Sequence, residues 1–255
     1  GADLGAEKFI DIKSRMAGLK PAVIVLVATI RAMKYHGGVD KAELNVENLE
    51  ALDKGMVNME RHIKNINNVY GLPCVVCLNH FTLDTDREVN MLMKRCESLG
   101  TKAVVSKHWA YGGKGAEDLA NAVVDVVDNN PGTHKYVYED SASLTQKIEA
   151  VSMNVYGASS VSYDPNVKQQ LEDWNEEYGS YPVCMAKTQM SFSTDPKERG
   201  APTGHNLHVS EVRLANGAGF IVAICGNMMT MPGLPKVPAA ERIDIDNDGN
   251  ITGLF

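Results

Sequence analysis

Several stretches of this chain carry residue types that could do chemistry. Arg31, Lys34, Tyr35 and His36 are followed at once by Gly37 and Gly38. Cationic and titratable side chains beside glycine backbone suit an anion or phosphate if they stand outside the carboxyl end of a parallel strand, where open α/β sheets bind ligands. The competing reading is an ordinary strand followed by a solvated basic turn. Phe81 and Trp109 each fall just past an apolar run. Two aromatics on one rim would sandwich a flat heterocycle, leaving its far end to polar groups; either alone could simply pack under a loop. Asn79 fits a purine edge, because an amide donates and accepts at once, or it is a turn asparagine.

Other candidates weaken on inspection. Cys74 and Cys77 have metal or redox spacing, but positions i and i+3 of a strand point to opposite faces, so buried structural thiols are expected. Residues 244–251, Asp-Ile-Asp-Asn-Asp-Gly-Asn-Ile, imitate the first half of an EF-hand loop. Its twelfth position is Phe255 where calcium needs a bidentate glutamate, so an Asp-Gly hairpin turn is the better reading. His205 and His208, three apart in a strand, face opposite ways. Gly217 and Gly219 read as turn chemistry. Neither Gly-x-x-x-x-Gly-Lys-Ser/Thr nor a Gly-x-Gly-x-x-Gly after a strand occurs, so any nucleotide handled here has its phosphate cradle elsewhere.

The elements that must position these groups alternate. Residues 4–17 predict a helix with Leu4, Phe9, Ile12 and Met16 on its packed face and Gly18 as its stop. Residues 22–29, which open on an unbroken apolar run over 22–26, predict a strand buried on both faces in the middle of a parallel sheet. A helix over 45–68, a strand over 74–78, a helix over 84–98, a strand over 102–106 and a helix over 115–127 follow. Such alternation predicts βαβ units. Right-handed crossovers would gather 31–36, 79–86 and 109–113 on one rim. Beyond Gly132 the pattern changes: helices over 143–156 and 166–178, and strands over 183–186, 205–214 and 219–224. The middle strand alternates at Leu207, Val209, Glu211 and Arg213. The expected class is α/β, a mostly parallel sheet flanked by helices over 1–130, with a smaller α+β region over 131–255. The proline-rich stretch 231–238 should wrap over a surface.

At 255 residues, 44% apolar and 22% charged, the chain can bury a sizeable core. A net charge of −7 argues against a nucleic-acid partner. No apolar run nears the roughly 18 residues that span a bilayer. The five cysteines, an odd number, look like reduced thiols. The glycine-punctuated start, without methionine, reads like a chain entered inside a domain.

Residues 27–38, Val-Ala-Thr-Ile-Arg-Ala-Met-Lys-Tyr-His-Gly-Gly, closely resemble a signature of the formate–tetrahydrofolate ligases, with Met33 where leucine is usual. Gly-Ala-Asp-Leu-Gly-Ala-Glu-Lys-Phe at 1–9, Pro-Val-Cys-Met-Ala-Lys-Thr-Gln at 182–189, Met-Thr-Met-Pro-Gly-Leu-Pro-Lys-Val-Pro-Ala-Ala-Glu at 229–241 and the ending 243–255 resemble the same family. The resemblance runs from first residue to last. It implies a longer P-loop NTPase-like protein of which this is the C-terminal half, with the P-loop and the catalytic basic residues in an N-terminal half. That enzyme class joins formate to tetrahydrofolate using ATP and Mg2+ through formyl phosphate, a chemistry of charge neutralisation and positioning. A monovalent cation, a homo-oligomeric full-length protein and a cytoplasmic setting, or a mitochondrial one, go with it; nucleic acid and membrane do not.

By motif, the resemblance implies that Phe81 and Trp109 are the two walls around the pterin and that Asn79 stands where adenine is read. Stretch 231–238, with Gly233 and Leu234, would line the base side of the nucleotide. Asp3 would lie near the γ-phosphate or Mg2+, and Arg31 is either a structural ion-pair residue or a phosphate-side one. Two departures flank the folate wall: His80-Phe81-Thr82 where Arg-Phe-Pro is usual, and Tyr111 where lysine is usual. Both bear on folate affinity and polyglutamate preference. The alternative class is a non-catalytic folate-binding or assembly module derived from the family.

Overall fold

Three β-branched runs pair as a parallel sheet in the order β1 (Ile24–Ala28), β2 (Cys74–Asn79), β3 (Lys102–Ser106). The structure, a computed structural model, describes residues 1–130, 132–226, 228 and 237–253. The register sets Leu26 against Val76 and Asn79 against Ser106, so the strand ends align on one rim. β2 is the central strand, buried from Cys74 to Leu78. The first strand differs from expectation: β1 is an edge, with Leu26 and Ala28 buried but Val27 62% exposed. Among the described residues it pairs only with β2, and one open face restores the two-residue alternation that an unbroken apolar run conceals.

Around this sheet run α1 (Ala2–Glu7) and α2 (Arg15–Ala17), joined through π-helical Lys8–Ser14, then α3 (Ile30–His36), α4 (Leu49–Lys64), α5 (Asp86–Ser98), α6 (His108–Tyr111) and α7 (Glu117–Asn129). Gly18 ends the first helical run at φ 65, in the left-handed region where glycine is favoured. The packed face of that run is not the one the spacing suggested. Phe9 and Met16 are exposed, while Asp3, Glu7, Ile10, Asp11 and Ser14 are buried. Polar partners decide it: Asp3 meets Lys187, Glu7 meets Lys8 and the Tyr156 hydroxyl, and Asp11 accepts from the Val137 N–H.

A second, mixed sheet has the order β4 (Ser160–Tyr163), β6 (Asn206–Ala215), β7 (Phe220–Cys225), β5 (Val183–Ala186). Helices α8 (Leu144–Asn154) and α9 (Pro165–Tyr178) pack on it. Capping boxes start α5 at Thr85 and α8 at Ser143, where side-chain oxygens satisfy orphan N–H groups. In β6 the alternation slips, because a bulge between Val209 and Glu211 turns Val212 inward and leaves Arg213 outside. β8 (Asp244–Ile245) and β9 (Ile251–Thr252) form the hairpin expected of the Asp-Gly turn, the Asp246 carboxylate accepting from the N–H groups of Asp248 and Asn250. One continuous apolar cluster, from Leu26, Met59 and Val76 to Val183, Leu207 and Ile221, lies under both main sheets.

Candidate functional site

The carboxyl ends of β2 and β3 present the aromatics. Phe81 follows β2 by two residues and is 37% exposed; Trp109 lies in α6, just past β3, and is 54% exposed. Phe81 is set by a tight turn: its N–H donates to an Asp84 carboxylate oxygen at 2.8 Å, and the Asp84 N–H donates to the Phe81 carbonyl at 3.0 Å. The Trp109 indole N–H donates to the His80 carbonyl at 2.7 Å, fixing the ring against the neighbouring strand end. The Trp109 loop is closed by Ser106, whose hydroxyl meets His108 Nδ1 at 2.9 Å, and by the Lys107 N–H on the Gly115 carbonyl. A Cβ at position 115 would lie 2.5 Å from the Lys107 carbonyl oxygen, so the loop closes only over glycine.

Asn79, the last residue of β2, is half-buried, and its Oδ1 is buried without a hydrogen-bond partner among the described residues. A buried acceptor left unpaired is costly, which marks this amide as one that gains from a ligand's N–H. Beside it opens a groove of about 440 Å³ lined by His80, Asp86, Lys107, Tyr111, Lys114 and Asp118, with Val89, Val105 and Gly115. Tyr111, a departure from the family's pattern, lines this groove together with Lys107 and Lys114, two before and five after Trp109.

The basic stretch after β1 folds differently from a turn. Thr29 caps α3, its hydroxyl accepting from the Ala32 N–H, and residues 30–36 are helical. Lys34 is 1% exposed and pairs at 2.8 Å with Glu88, which is fully buried. It also donates to the Val46 carbonyl. His36 Nδ1 accepts from the Gly200 N–H, and Arg199 lies 4.1 Å over the Tyr35 ring. The Gly37 contact is steric: a Cβ there would sit 1.8 Å from the Ala51 carbonyl, and one on Gly55 1.8 Å from that of Met33. The two glycines let α3 and α4 touch backbone to backbone. Arg31 alone reaches the rim, its guanidinium 6.0 Å from the Phe81 ring centroid.

Asp3 is buried at 3.0 Å from the Lys187 ammonium. Burial works against its charge, but Lys187 above all outweighs it and holds the carboxyl below its usual value. Burial pushes Glu7 up to about 7 and Asp11 up to about 6. Cys74 and Cys77 are free and buried, with the Cys74 thiol pushed up to about 12 by burial, so neither offers a thiolate near neutrality. His208 pairs with Asp164 at 3.1 Å on β6, while His205 precedes the strand. Gly233 and Leu234 lie outside the described residues. No cluster of three His, Cys, Asp or Glu able to hold a metal occurs among the described residues, and no helix there is long and apolar enough to cross a membrane.

The family model of formate–tetrahydrofolate ligase matches residues 1–255. The chain belongs to that family. It is 66% identical over its full length to the formate–tetrahydrofolate ligase of Methylococcus capsulatus, 56% to that of Methylibium petroleiphilum and 51% to that of Pelagibacter ubique. In each case it spans 46% of the relative's length. The chain thus spans about half the length of the relatives it matches.

Proposed function

We propose that this chain is the folate-holding part, and a share of the nucleotide site, of an ATP-dependent ligase that makes 10-formyltetrahydrofolate from formate and tetrahydrofolate. It would work with a complementary P-loop half that carries the phosphate cradle and the catalytic basic residues. In that reaction a formate oxygen attacks the γ-phosphorus of ATP, the bond from that phosphorus to the β–γ bridging oxygen breaks, ADP leaves with the electron pair, and formyl phosphate forms. The folate N10 lone pair then attacks the formyl carbon. The bond from carbon to the phosphate oxygen breaks, phosphate leaves with the electron pair, and the N10 proton is released.

The observation that carries the reading is the pair of exposed aromatics, Phe81 and Trp109, on adjacent strand ends, with the indole pinned by the His80 carbonyl. Two π faces anchored on rigid elements suit a flat pterin, and holding N10 still beside a short-lived anhydride is the largest service a binding half can give. The unpaired Asn79 amide oxygen suits an adenine N6–H, with Gly233 and Leu234 on the base side. Asp3 does not make a magnesium site among the described residues, because it is committed to Lys187. Magnesium would arrive on the nucleotide and be held by the complementary half, and Arg31 stands beside Phe81 on the folate wall.

The test uses tryptophan emission. In a Trp174→Phe background Trp109 is the sole emitter, and tetrahydrofolate should quench it. Phe81→Ala should weaken that binding about fivefold, the loss of about 1 kcal/mol of stacking. Absence of quenching, or unchanged affinity in Phe81→Ala, would sink the reading. Mixing the chain with the N-terminal portion of the Methylococcus capsulatus relative and assaying 10-formyltetrahydrofolate separates a ligase half from a binding module.

A further inference from the structure

We infer that the connection between β5 and β6 is a strap latched onto α3, the signature helix, by the imidazole of His36, and that protonation of His36 unlatches it. The strap ties the second sheet to the first and is independent of the folate wall.

It is held at both ends. Near its start the buried Lys187 donates to the Ser191 carbonyl at 2.5 Å and pairs with Asp3 at 3.0 Å. Phe192 stacks on His62 of α4, the ring centroids 4.7 Å apart. At the far end Gly200 is buried with φ +80, a left-handed conformation that favours glycine. Its N–H donates to His36 Nδ1 at 3.1 Å, and its carbonyl accepts from Asn58 Nδ2 at 2.7 Å. One helix reads the donor and the next reads the acceptor. Arg199 adds to this end, its guanidinium lying over the Tyr35 ring and donating to the carbonyls of Tyr35 and Val39 at 3.1 and 3.2 Å. Between the anchors, residues 195–198 are exposed, so the far end can part while the first anchor holds.

The hydrogen bond on Nδ1 makes the latch sensitive to protons. Nδ1 accepts an N–H only while it carries no hydrogen, so the neutral ring keeps its hydrogen on Nε2. A second proton must go to Nδ1, where it sets N–H against N–H and deletes the bond to Gly200. The surroundings oppose that proton: burial first, then the amino group of Gly1 and the Arg199 guanidinium, hold His36 below the ordinary 6.5. Tyr35 meets the ring edge-on at 6.0 Å. From α4 the facing groups are Asn58 and His62, the latter held at about 4 by burial. No carboxylate pairs with His36 among the described residues. The latched state therefore binds fewer protons than the open one below pH 6.5. Latching is complete above that value and is lost as pH falls below it. His36, Asn58 and His62 also wall a cavity of about 220 Å³ at the carboxyl end of β1, so unlatching slackens that wall.

Hydrogen exchange of single amides, read by NMR on the full chain from about pH 5 to about pH 8 and divided by the intrinsic rate at each pH, tests the latch. Protection of the Gly200 amide, taken relative to the amides of β7, should be constant above about pH 7 and fall by up to about tenfold per pH unit below it. His36→Asn puts an amide oxygen where Nδ1 stands and does not titrate, so Gly200 should stay protected across the range. His36→Phe offers no acceptor and should leave Gly200 poorly protected at every pH. A flat Gly200 profile in the unmodified chain, or the same fall in His36→Asn, overturns the latch. A fall shared equally by the Phe192 amide assigns the response to His62, and one shared by β7 assigns it to unfolding of the whole chain; either overturns the latch as well.

Discussion

Replacing Lys34 with methionine asks whether the most basic-looking residue of the signature holds phosphate or holds the fold. The ammonium is 1% exposed and lies 2.8 Å from a carboxylate of Glu88 that is fully buried. Removing one partner of such a pair costs about 3–5 kcal/mol, because the other charge stays buried and unpaired. Glu88 keeps two backbone donors, the N–H groups of Asn48 at 3.1 Å and Thr85 at 3.2 Å, so the low end, about 3 kcal/mol, is expected. A Lys34→Met, Glu88→Gln double variant keeps a capping-box residue at the start of α5 and removes the stranded charge. It should recover about 2 kcal/mol of the loss. Burial alone would raise the Glu88 carboxyl, but the Lys34 bond and the backbone donors outweigh it and lower it below the ordinary 4.5. Its contribution is therefore present above pH 4.5 and lost as pH falls through the lower folded value. The assay is urea unfolding followed by circular dichroism and tryptophan emission together, across that pH range. A Lys34→Met chain within about 0.5 kcal/mol of the parent at neutral pH, or a double variant no more stable than the single, would refute the buried-pair reasoning.

Gly55→Ala sets two effects against each other. Alanine within a helix normally gains about 1 kcal/mol over glycine, but here its methyl would stand 1.8 Å from a backbone oxygen of α3. Overpacking of about 1–3 kcal/mol should win, and a higher melting temperature would contradict the close crossing. Glu7→Gln probes the buried acid whose folded value is about 7 against an ordinary 4.5. The native state holds that proton longer than the unfolded one, so this group makes stability fall as pH rises from 4.5 to 7. The variant should flatten that fall and stand closest to, or above, the parent at pH 8; a parent curve already flat over that window would show that Glu7 is ionised in the fold.

The sequence is most readable where local chemistry and tertiary context agree. Lys102–Ser106 and Val183–Ala186 are strands with the bounds their apolar runs suggested, and α5 and α8 begin where a capping box can form. It is least readable where the partner is distant in sequence. The buried face of the first helical run is acidic because Lys187 and Tyr156 wait for it, and no periodicity rule ranks Asp3 above Phe9. The short β4, Ser-Val-Ser-Tyr, alternates over only four residues, too few to stand out, and is a strand because β6 pairs with it. At the rim, Asn79 was legible because it ends a strand and Phe81 and Trp109 because they fall just past one; the groove beside them was not, because its lining is drawn from α5, the Trp109 loop and α7.

The signature and the proposed ligand rim are then connected through the packing of the fold. Lys34 neutralises Glu88. Glu88 and Thr85 cap each other at the start of α5, and Asp84, the residue before Thr85, takes the Phe81 N–H that sets the aromatic's turn. Arg31, on the outer side of α3, reaches the same ring, and the Gly37 and Gly55 contacts fix how closely α3 and its neighbour α4 can press behind it. A signature residue in this arrangement acts by holding the rim still. Loss of Lys34 should therefore soften the wall around Phe81 as well as the fold, whereas loss of Phe81, exposed at the end of its strand, should remove a binding face and leave the helices behind it in place.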